Sequence, residues 1–224
     1  MKSLNNWLLV LSVLSCFGCS SPVHEDDRGC AFVSDSIQYR VEFMSAGCVR
    51  ILSFPEGDTL VTKRLVVDSE KPAFKDYKWE DTGQKLLFRT RELSVVFDKA
   101  DAAFIFQETS TGKLLLKEKG DRKARNFKRS VAGGEQCLEV TQCFVPTEDE
   151  AIYGLGQYQN GIMNYRGKSV LLLQANMDIV NPFLISTNGY GVLWDNYSST
   201  KFEDTKEGYS FTSEVGDASD YYFV

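Results

Sequence analysis

The chain has 224 residues, 43% of them hydrophobic and 25% charged, with a formal net charge of −6. Such values belong to an ordinary globular protein, and a domain of this size can bury a sizeable core. The negative balance excludes a nucleic-acid partner as the leading reading, because that binding rests on phosphate neutralisation by Lys and Arg.

The first element is not part of the fold. Lys2 supplies a thin positive region, and residues 7–14 form an apolar run of signal-peptide length, too short to span a bilayer as a helix. Ser15-Cys16-Phe17-Gly18-Cys19-Ser20-Ser21 follows. A Cys after small residues at the end of such a run resembles a bacterial lipobox. Cys16 and Cys19 both fit; Cys19 fits better, since Ser20, Ser21 and Pro22 then begin a tether. An ordinary cleaved signal with incidental cysteines is the alternative. The resulting division is a lipoprotein signal over 1–19, a tether over 20–29 and a folded domain over 30–224. Glu25-Asp26-Asp27 resembles the acidic surface-export signal of Bacteroidetes lipoproteins. The expected location is exported and lipid-anchored to the outer membrane, facing periplasm or surface. The membrane partner would be held by acyl chains at about 0.8 kcal/mol per buried CH₂.

Beyond the tether the chain reads as strands. Ile37, Tyr39, Val41 and Phe43 alternate with polar residues, the period-2 pattern of a half-buried strand. Further strands are predicted over 49–52, 65–67, 85–90, 93–98, 103–106, 114–116, 137–145, 170–173, 183–187, 190–195 and 209–212, and a last one runs into Phe223-Val224. Thr111-Gly112 marks one hairpin turn. Asn188-Gly189 marks another, with a type I′ turn expected because Asn-Gly suits two successive positive-φ positions. Short strands at roughly 8–12-residue spacing indicate an all-β sandwich or barrel. The basic cluster Arg122, Lys123, Arg125, Lys128 and Arg129 reads as a solvated loop or strand edge. The aromatic, apolar C-terminal run differs from the polar trailing ends of most chains, and the expectation is the front portion of a longer polypeptide.

Chemistry is sparse. His24 is the only histidine, so neither a His-assisted nucleophile nor a His metal cluster is available, and no cofactor or metal is expected. Cys30, Cys48, Cys137 and Cys143 lack CxxC spacing. Cys137 and Cys143 would share a strand face too far apart to bond. Buried free thiols are expected, with a Cys30–Cys48 bridge left open. No pair among the 31 acidic residues is singled out as an acid and base, so no catalytic residue is assigned. The loop over 157–167, with Tyr158, Tyr165, Arg166 and several amides, has the composition of a sugar site. Gln174, Asn176 and Asp178 offer the same polar groups without an aromatic.

Several motifs from residue 150 onward resemble glycoside hydrolase family 31, the α-glucosidase and α-xylosidase family. They are Tyr153-Gly154-Leu155-Gly156-Gln157, Arg166-Gly167, Pro182-Phe183, Gly189-Tyr190-Gly191-Val192 and Gly216-Asp217-Ala218-Ser219-Asp220-Tyr221-Tyr222-Phe223. The resemblance implies an antiparallel β-sandwich of galactose-mutarotase-like type, placed just before a catalytic (β/α)₈ barrel. It implies that the catalytic Asp pair lies on that barrel, outside this chain, and that the sandwich is non-catalytic. It further implies an oligosaccharide substrate cleaved with retention, and a Gln174–Asp178 loop that reaches over the barrel, making Gln174, Asn176 and Asp178 the candidate substrate-binding residues. This loop is shorter than in many α-glucosidases, which favours the α-xylosidase side. Two other readings stay open. One is a stand-alone glycan-binding surface lipoprotein. The other is a mutarotase on the same sandwich, disfavoured because that chemistry uses a histidine.

Overall fold

The structure is a computed structural model and describes residues 22–58, 66 and 73–224. The signal segment with Cys16 and Cys19, and the strand expected over 65–67 apart from Val66, lie outside the described residues. Among the described residues every regular element is a strand. In chain order they are β1 His24–Glu25, β2 Cys30–Ser34, β3 Ile37–Phe43, β4 Val49–Pro55, β5 Lys78–Asp81, β6 Lys85–Arg89, β7 Leu93–Asp98, β8 Ala103–Glu108, β9 Leu114–Glu118, β10 Arg125–Ala132, β11 Glu135–Val145, β12 Ile152–Gln157, β13 Ser169–Leu172, β14 Ile179–Ser186, β15 Tyr190–Trp194, β16 Thr200–Thr205, β17 Gly208–Gly216 and β18 Ser219–Phe223.

Two antiparallel sheets result. The eight-stranded sheet runs β1-β2-β3-β4-β18-β15-β14-β12, and the ten-stranded sheet runs β13-β16-β17-β11-β9-β8-β7-β6-β5 with β10 paired to β11. The fold is the all-β antiparallel sandwich expected. Strand β18 does not sit at an edge. It lies between β4 and β15, so the last strand closes the eight-stranded sheet.

The inner faces are aromatic. Phe106 of β8 stacks on Phe223 of β18 at 4.4 Å, Tyr39 of β3 packs on Phe97 of β7 at 4.9 Å, and Trp194 of β15 stacks on Phe211 of β17 at 5.6 Å. Each pair joins one sheet to the other. Such pairs contribute about 0.5–1.5 kcal/mol beyond their buried area.

One polar group sits inside this apolar layer. Glu118, at the end of β9, has no exposed surface, and Arg125 of β10 pairs with it. Glu118 also accepts from the Phe104 amide at 2.7 Å, Gln142 Nε2 at 2.9 Å and the Tyr221 hydroxyl at 2.9 Å. Arg125 donates in addition to the Tyr39 hydroxyl at 2.9 Å and the Ala102 carbonyl at 2.8 Å. The basic cluster is therefore not uniformly solvated. Arg125 is a core residue, while Arg122, Lys128 and Arg129 pair with Asp35, Glu139 and Asp58 at the surface.

Three further expectations change. Residues 22–29, read as tether, include β1, whose His24 and Glu25 pair with Ala31 and Cys30. Glu25 accepts from the Tyr77 hydroxyl at 2.9 Å and the Trp79 indole at 3.0 Å. Asp26 holds Arg40 at 2.5 Å. Burial works against the Asp26 charge, but Arg40 and the amides of Arg28 and Gly29 outweigh it and hold the carboxyl down at about 2. The four described cysteines are unbridged, and only Cys30 is buried; Cys48, Cys137 and Cys143 are half-buried. Finally, the Asn188-Gly189 hairpin forms, but not through a two-residue type I′ turn. Ser186 pairs with Tyr190, leaving a three-residue loop in which Gly189 has φ 93° and Asn188 does not have positive φ. The pattern is a tight turn followed by a left-handed glycine. Asn188 is used elsewhere, donating to the carbonyls of Leu114 and Leu115 at 3.1 and 2.6 Å on the other sheet.

Replacing Glu118 with Ala strands the Arg125 charge in the core. The expected loss is about 3–5 kcal/mol of unfolding free energy. Tyr221→Phe removes one of several donors and costs about 1 kcal/mol. Urea unfolding at pH 7 measures both, and equal small losses would show that the buried pair carries no special weight.

Candidate functional site

The distinctive local geometry begins in β12. Gly154 and Gly156 pair with Leu184 and Val180 of β14 across a register shift. A Cβ on Gly154 would meet the Phe183 carbonyl oxygen at 2.5 Å, and one on Gly156 would meet that of Ile179 at 2.2 Å. Only glycine permits this approach, and both residues hold positive φ. Leu155, between them, also has positive φ (65°), and its side chain is fully buried. The Gly-Leu-Gly sequence is thus a strand distortion that drives one leucine into the core.

The chain leaves this distortion into the 157–168 loop. Tyr158 folds back to donate to the Leu155 carbonyl at 3.0 Å. Asn164 caps the amides of Ile152 and Arg166, both at 3.1 Å. Arg166 is a clamp. Its Nε meets Asp204 at 2.9 Å, its Nη1 reaches the carbonyls of Thr147 and Glu150, and the Gly167 amide also donates to Asp204. The polar residues that gave this loop a sugar-site composition are in good part engaged in its own architecture.

The connection from β13 to β14 carries Gln174, Asn176 and Asp178. Ala175 bridges Asp178, and the Asp178 amide donates to the Ala175 carbonyl at 3.2 Å. Met177 occupies the positive-φ position of this turn at 71°. A non-glycine residue there costs about 1–3 kcal/mol. Gln174 offsets part of it as a staple. Its Nε2 donates to the Asp178 carbonyl at 2.8 Å, and its Oε1 accepts from the Val180 amide at 3.1 Å. Gln174 is therefore committed to the neck of the turn. Asn176 and Met177 are exposed at the tip, and Asp178 is half-buried. Burial pushes the Tyr158 hydroxyl up to about 12, with the charges of Tyr165 and Asp178 adding to it, and the pairing of Gln157 with Ile179 starts the 157–168 loop beside the end of the 173–178 turn. The two loops form one corner, where β13 of one sheet meets β12 and β14 of the other.

A second feature, absent from the sequence reading, is the outer face of the eight-stranded sheet. Tyr153 pairs with Ile185, Phe183 with Leu193, and Leu193 with Tyr222. Their inward neighbours Ile152, Leu184 and Val192 are fully buried, so alternation puts these five side chains on the outside. Tyr153 and Ile185 are exposed, and Phe183 and Leu193 are half-buried. Beside this strip, Arg50 is buried and pairs with Asp220, and with Glu42 at 3.1 Å. Among the described residues no group of three or more His, Cys, Asp or Glu could hold a metal ion.

The matched sequence settles the family. The family model described as the glycosyl hydrolase 31 N-terminal galactose mutarotase-like domain matches residues 38–203. The chain belongs to glycoside hydrolase family 31. An α-xylosidase from Saccharolobus solfataricus is 32% identical over 84% of this chain, which spans only 26% of that protein. A family 31 α-xylosidase from Xanthomonas citri has 29% identity and a TM-score of 0.68 over 82% of this chain and 20% of that one. A family 31 α-xylosidase from a soil metagenome, complexed with xylose, gives a TM-score of 0.72 at 23% identity over 91% of this chain and 32% of that one. The chain is thus the N-terminal, non-catalytic part of the family 31 arrangement, spanning roughly a quarter of the relatives' length.

Burial pushes the Asp220 carboxyl up to about 6. Arg50 opposes the shift, while Asp195 and Glu42 reinforce it. The folded state therefore holds this proton more tightly than the unfolded chain. Stability from the group is full below the ordinary carboxylate range and is lost as pH rises through about 6. Unfolding followed from about pH 4 to 7 should show that decline, and Asp220→Asn should flatten it. An unchanged slope in the variant would assign the pH dependence to another group.

Proposed function

We propose that the chain is the N-terminal support domain of a retaining α-glycosidase of the α-xylosidase type. The observation that carries this is the 32% identity to the Saccharolobus α-xylosidase over 84% of the chain. The substrate is an α-linked oligosaccharide, and the reacting carboxylates belong to the catalytic domain that follows. The corner formed by the 157–168 loop and the 173–178 turn borders the sugar pocket, with Asn176 and Asp178 as the groups that can meet hydroxyls. Gln174 acts through the turn it staples, a positioning role. The apolar outer strip around Tyr153 and Ile185 meets the catalytic domain. The protein is exported and anchored to the outer membrane through an acylated Cys19.

Two measurements test this. The 224-residue chain is expected to show no turnover of an aryl α-xyloside, whereas the polypeptide continued through the catalytic domain hydrolyses it with the anomeric configuration retained, read by proton NMR. Hydrolysis that scales with the concentration of the 224-residue chain, or tight oligosaccharide binding by it in isothermal titration, overturns the support-domain reading in favour of an independent enzyme or glycan binder. For the anchor, radiolabelled palmitate should enter the exported protein and be lost in Cys19→Ser. Label persisting in that variant, and lost in Cys16→Ser, moves the modification to Cys16.

A further inference from the structure

The N-terminal segment does not trail away from the fold. Val23 packs, partly buried, against the core, and β1 forms one edge of the eight-stranded sheet. Glu25 then crosses to the other sheet, accepting from the Tyr77 hydroxyl at 2.9 Å and from the indole of Trp79 in β5 at 3.0 Å. Asp26 is held twice, its carboxylate by Arg40 at 2.5 Å and its carbonyl by the Lys75 ammonium at 2.7 Å. Val23 comes four residues after Cys19. A chain extends by at most about 3.6 Å per residue, so Cys19 stays within about 14 Å of Val23. An acyl group there brings the bilayer to the side of the sandwich where β1 and β5 are the sheet edges.

That side carries two cations set against each other. Lys78 of β5 and Arg89 of β6 are cross-strand partners. The next pair along, Trp79 and Phe88, points inward, since Phe88 is fully buried, so Lys78 and Arg89 stand on the outer face of the ten-stranded sheet. Both are exposed, and among the described residues neither forms an ion pair. Like charges directly opposite one another destabilise a strand pair. The two line a groove of about 610 Å³ with Arg91, Leu87 and the acids Asp76 and Glu80, three cations against two carboxylates. Arg91 is paired with Glu92 at 3.0 Å. Basic residues beside an acyl anchor are drawn to the phosphates of anionic lipids, which strengthens a single anchor. The sugar corner lies on the other side of the molecule. β1 and β12 are opposite edges of the eight-stranded sheet, so seven spacings of about 4.8 Å set them on the order of 30 Å apart.

We propose that the β5–β6 side of the sandwich rests on the membrane, with Lys78 and Arg89 on the phosphates of anionic lipids, so that the sugar corner at the opposite edges stands away from the bilayer. This rests on the reading above that Cys19 is acylated. The docked segment 23–29 serves as a short fixed strap, and the apolar strip on the outer face of the other sheet stays free for the catalytic domain.

The test uses the exported protein in vesicles of phosphatidylcholine mixed with phosphatidylglycerol, with nitroxide-headgroup lipids as quenchers. A fluorophore is attached through an unnatural residue at Gln84, in the β5–β6 turn, or at Lys206, in the β16–β17 turn near the far edge of the same sheet; both positions are exposed. Emission should be largely lost at Gln84 and largely kept at Lys206. Lys78→Glu combined with Arg89→Glu should remove that difference, as should phosphatidylcholine alone. Palmitate incorporation in the same samples reports the anchor separately. Equal quenching at the two positions in labelled, vesicle-bound protein overturns the orientation and leaves the anchor standing. A difference that survives the double charge reversal, or the absence of phosphatidylglycerol, overturns the lipid-phosphate contact. Protein that takes up no palmitate and stays off the vesicles overturns the anchor and the orientation together. Lys78→Gln with Arg89→Gln should leave the urea midpoint unchanged or raised, since it removes a like-charge pair. A lowered midpoint would give the two cations a structural role and overturn the proposal.

Discussion

The Glu118 carboxylate is the interaction on which the rest of the sandwich depends. It receives donors from β8, β10, β11 and β18, and so touches both sheets from a position with no exposed surface. A buried ion pair is weak evidence for stability, because desolvation offsets much of the attraction. Its effect here is on register. Tyr221 must face inward to reach Glu118, and Ser219 must face inward to give Gln142 its bond at 2.8 Å. A slip of β18 by one residue would turn every one of its side chains to the other face. With Tyr221 facing the core between the sheets, Asp220 and Tyr222 face the other side of their sheet, where both are still buried. That places Asp220 on Arg50 and beside Asp195. The charge pattern of the outer face is therefore a consequence of one carboxylate in the core.

The corner loops depend on a different constraint, the close approach of β12 and β14. The Gly154–Gly156 distortion brings two strand backbones nearer than any side chain allows. It also aims the chain so that Tyr158 folds back on Leu155. The 173–178 turn is held from within, by Gln174 and by the Ala175–Asp178 bridge. A turn whose neck is braced in this way holds its tip at a set position.

The sequence made much of this legible, and its failures have physical causes. The long apolar strands β3, β7, β8 and β15 declared themselves by period or by β-branched and aromatic content. Strand β16 did not. Its inward positions are Thr200, Phe202 and Asp204, so the alternation is real but only one of the three is apolar. Strand β10 hid behind its charges. Arg125 enters the core because Glu118, seven residues earlier and on another strand, waits there, and no local pattern reports such a pair. The Asn188-Gly189 hairpin was legible, but its loop length was set by the Ser186–Tyr190 pairing and by Asn188 reaching the opposite sheet. For the site, the candidate residues fell on one turn, yet only its folded geometry separates Gln174, spent on the neck, from Asn176 at the tip. Asp195 was placed within the strand expected over 190–195, and no local pattern reports that both of its carboxylate oxygens are buried.

On the proposed docking of the outer face to a second domain, the apolar strip and the buried Arg50–Asp220 pair beside it would answer different needs. An apolar strip gives area but little direction, because dispersion and desolvation are nearly indifferent to small slides. A buried charge that must be matched punishes misplacement steeply, because a missed partner leaves it desolvated and alone. The corner turn would contribute usefully to a sugar pocket only if it is fixed against the catalytic domain to within a hydrogen-bond length. Tyr153 and Ile185 can hold two domains together without fixing that offset.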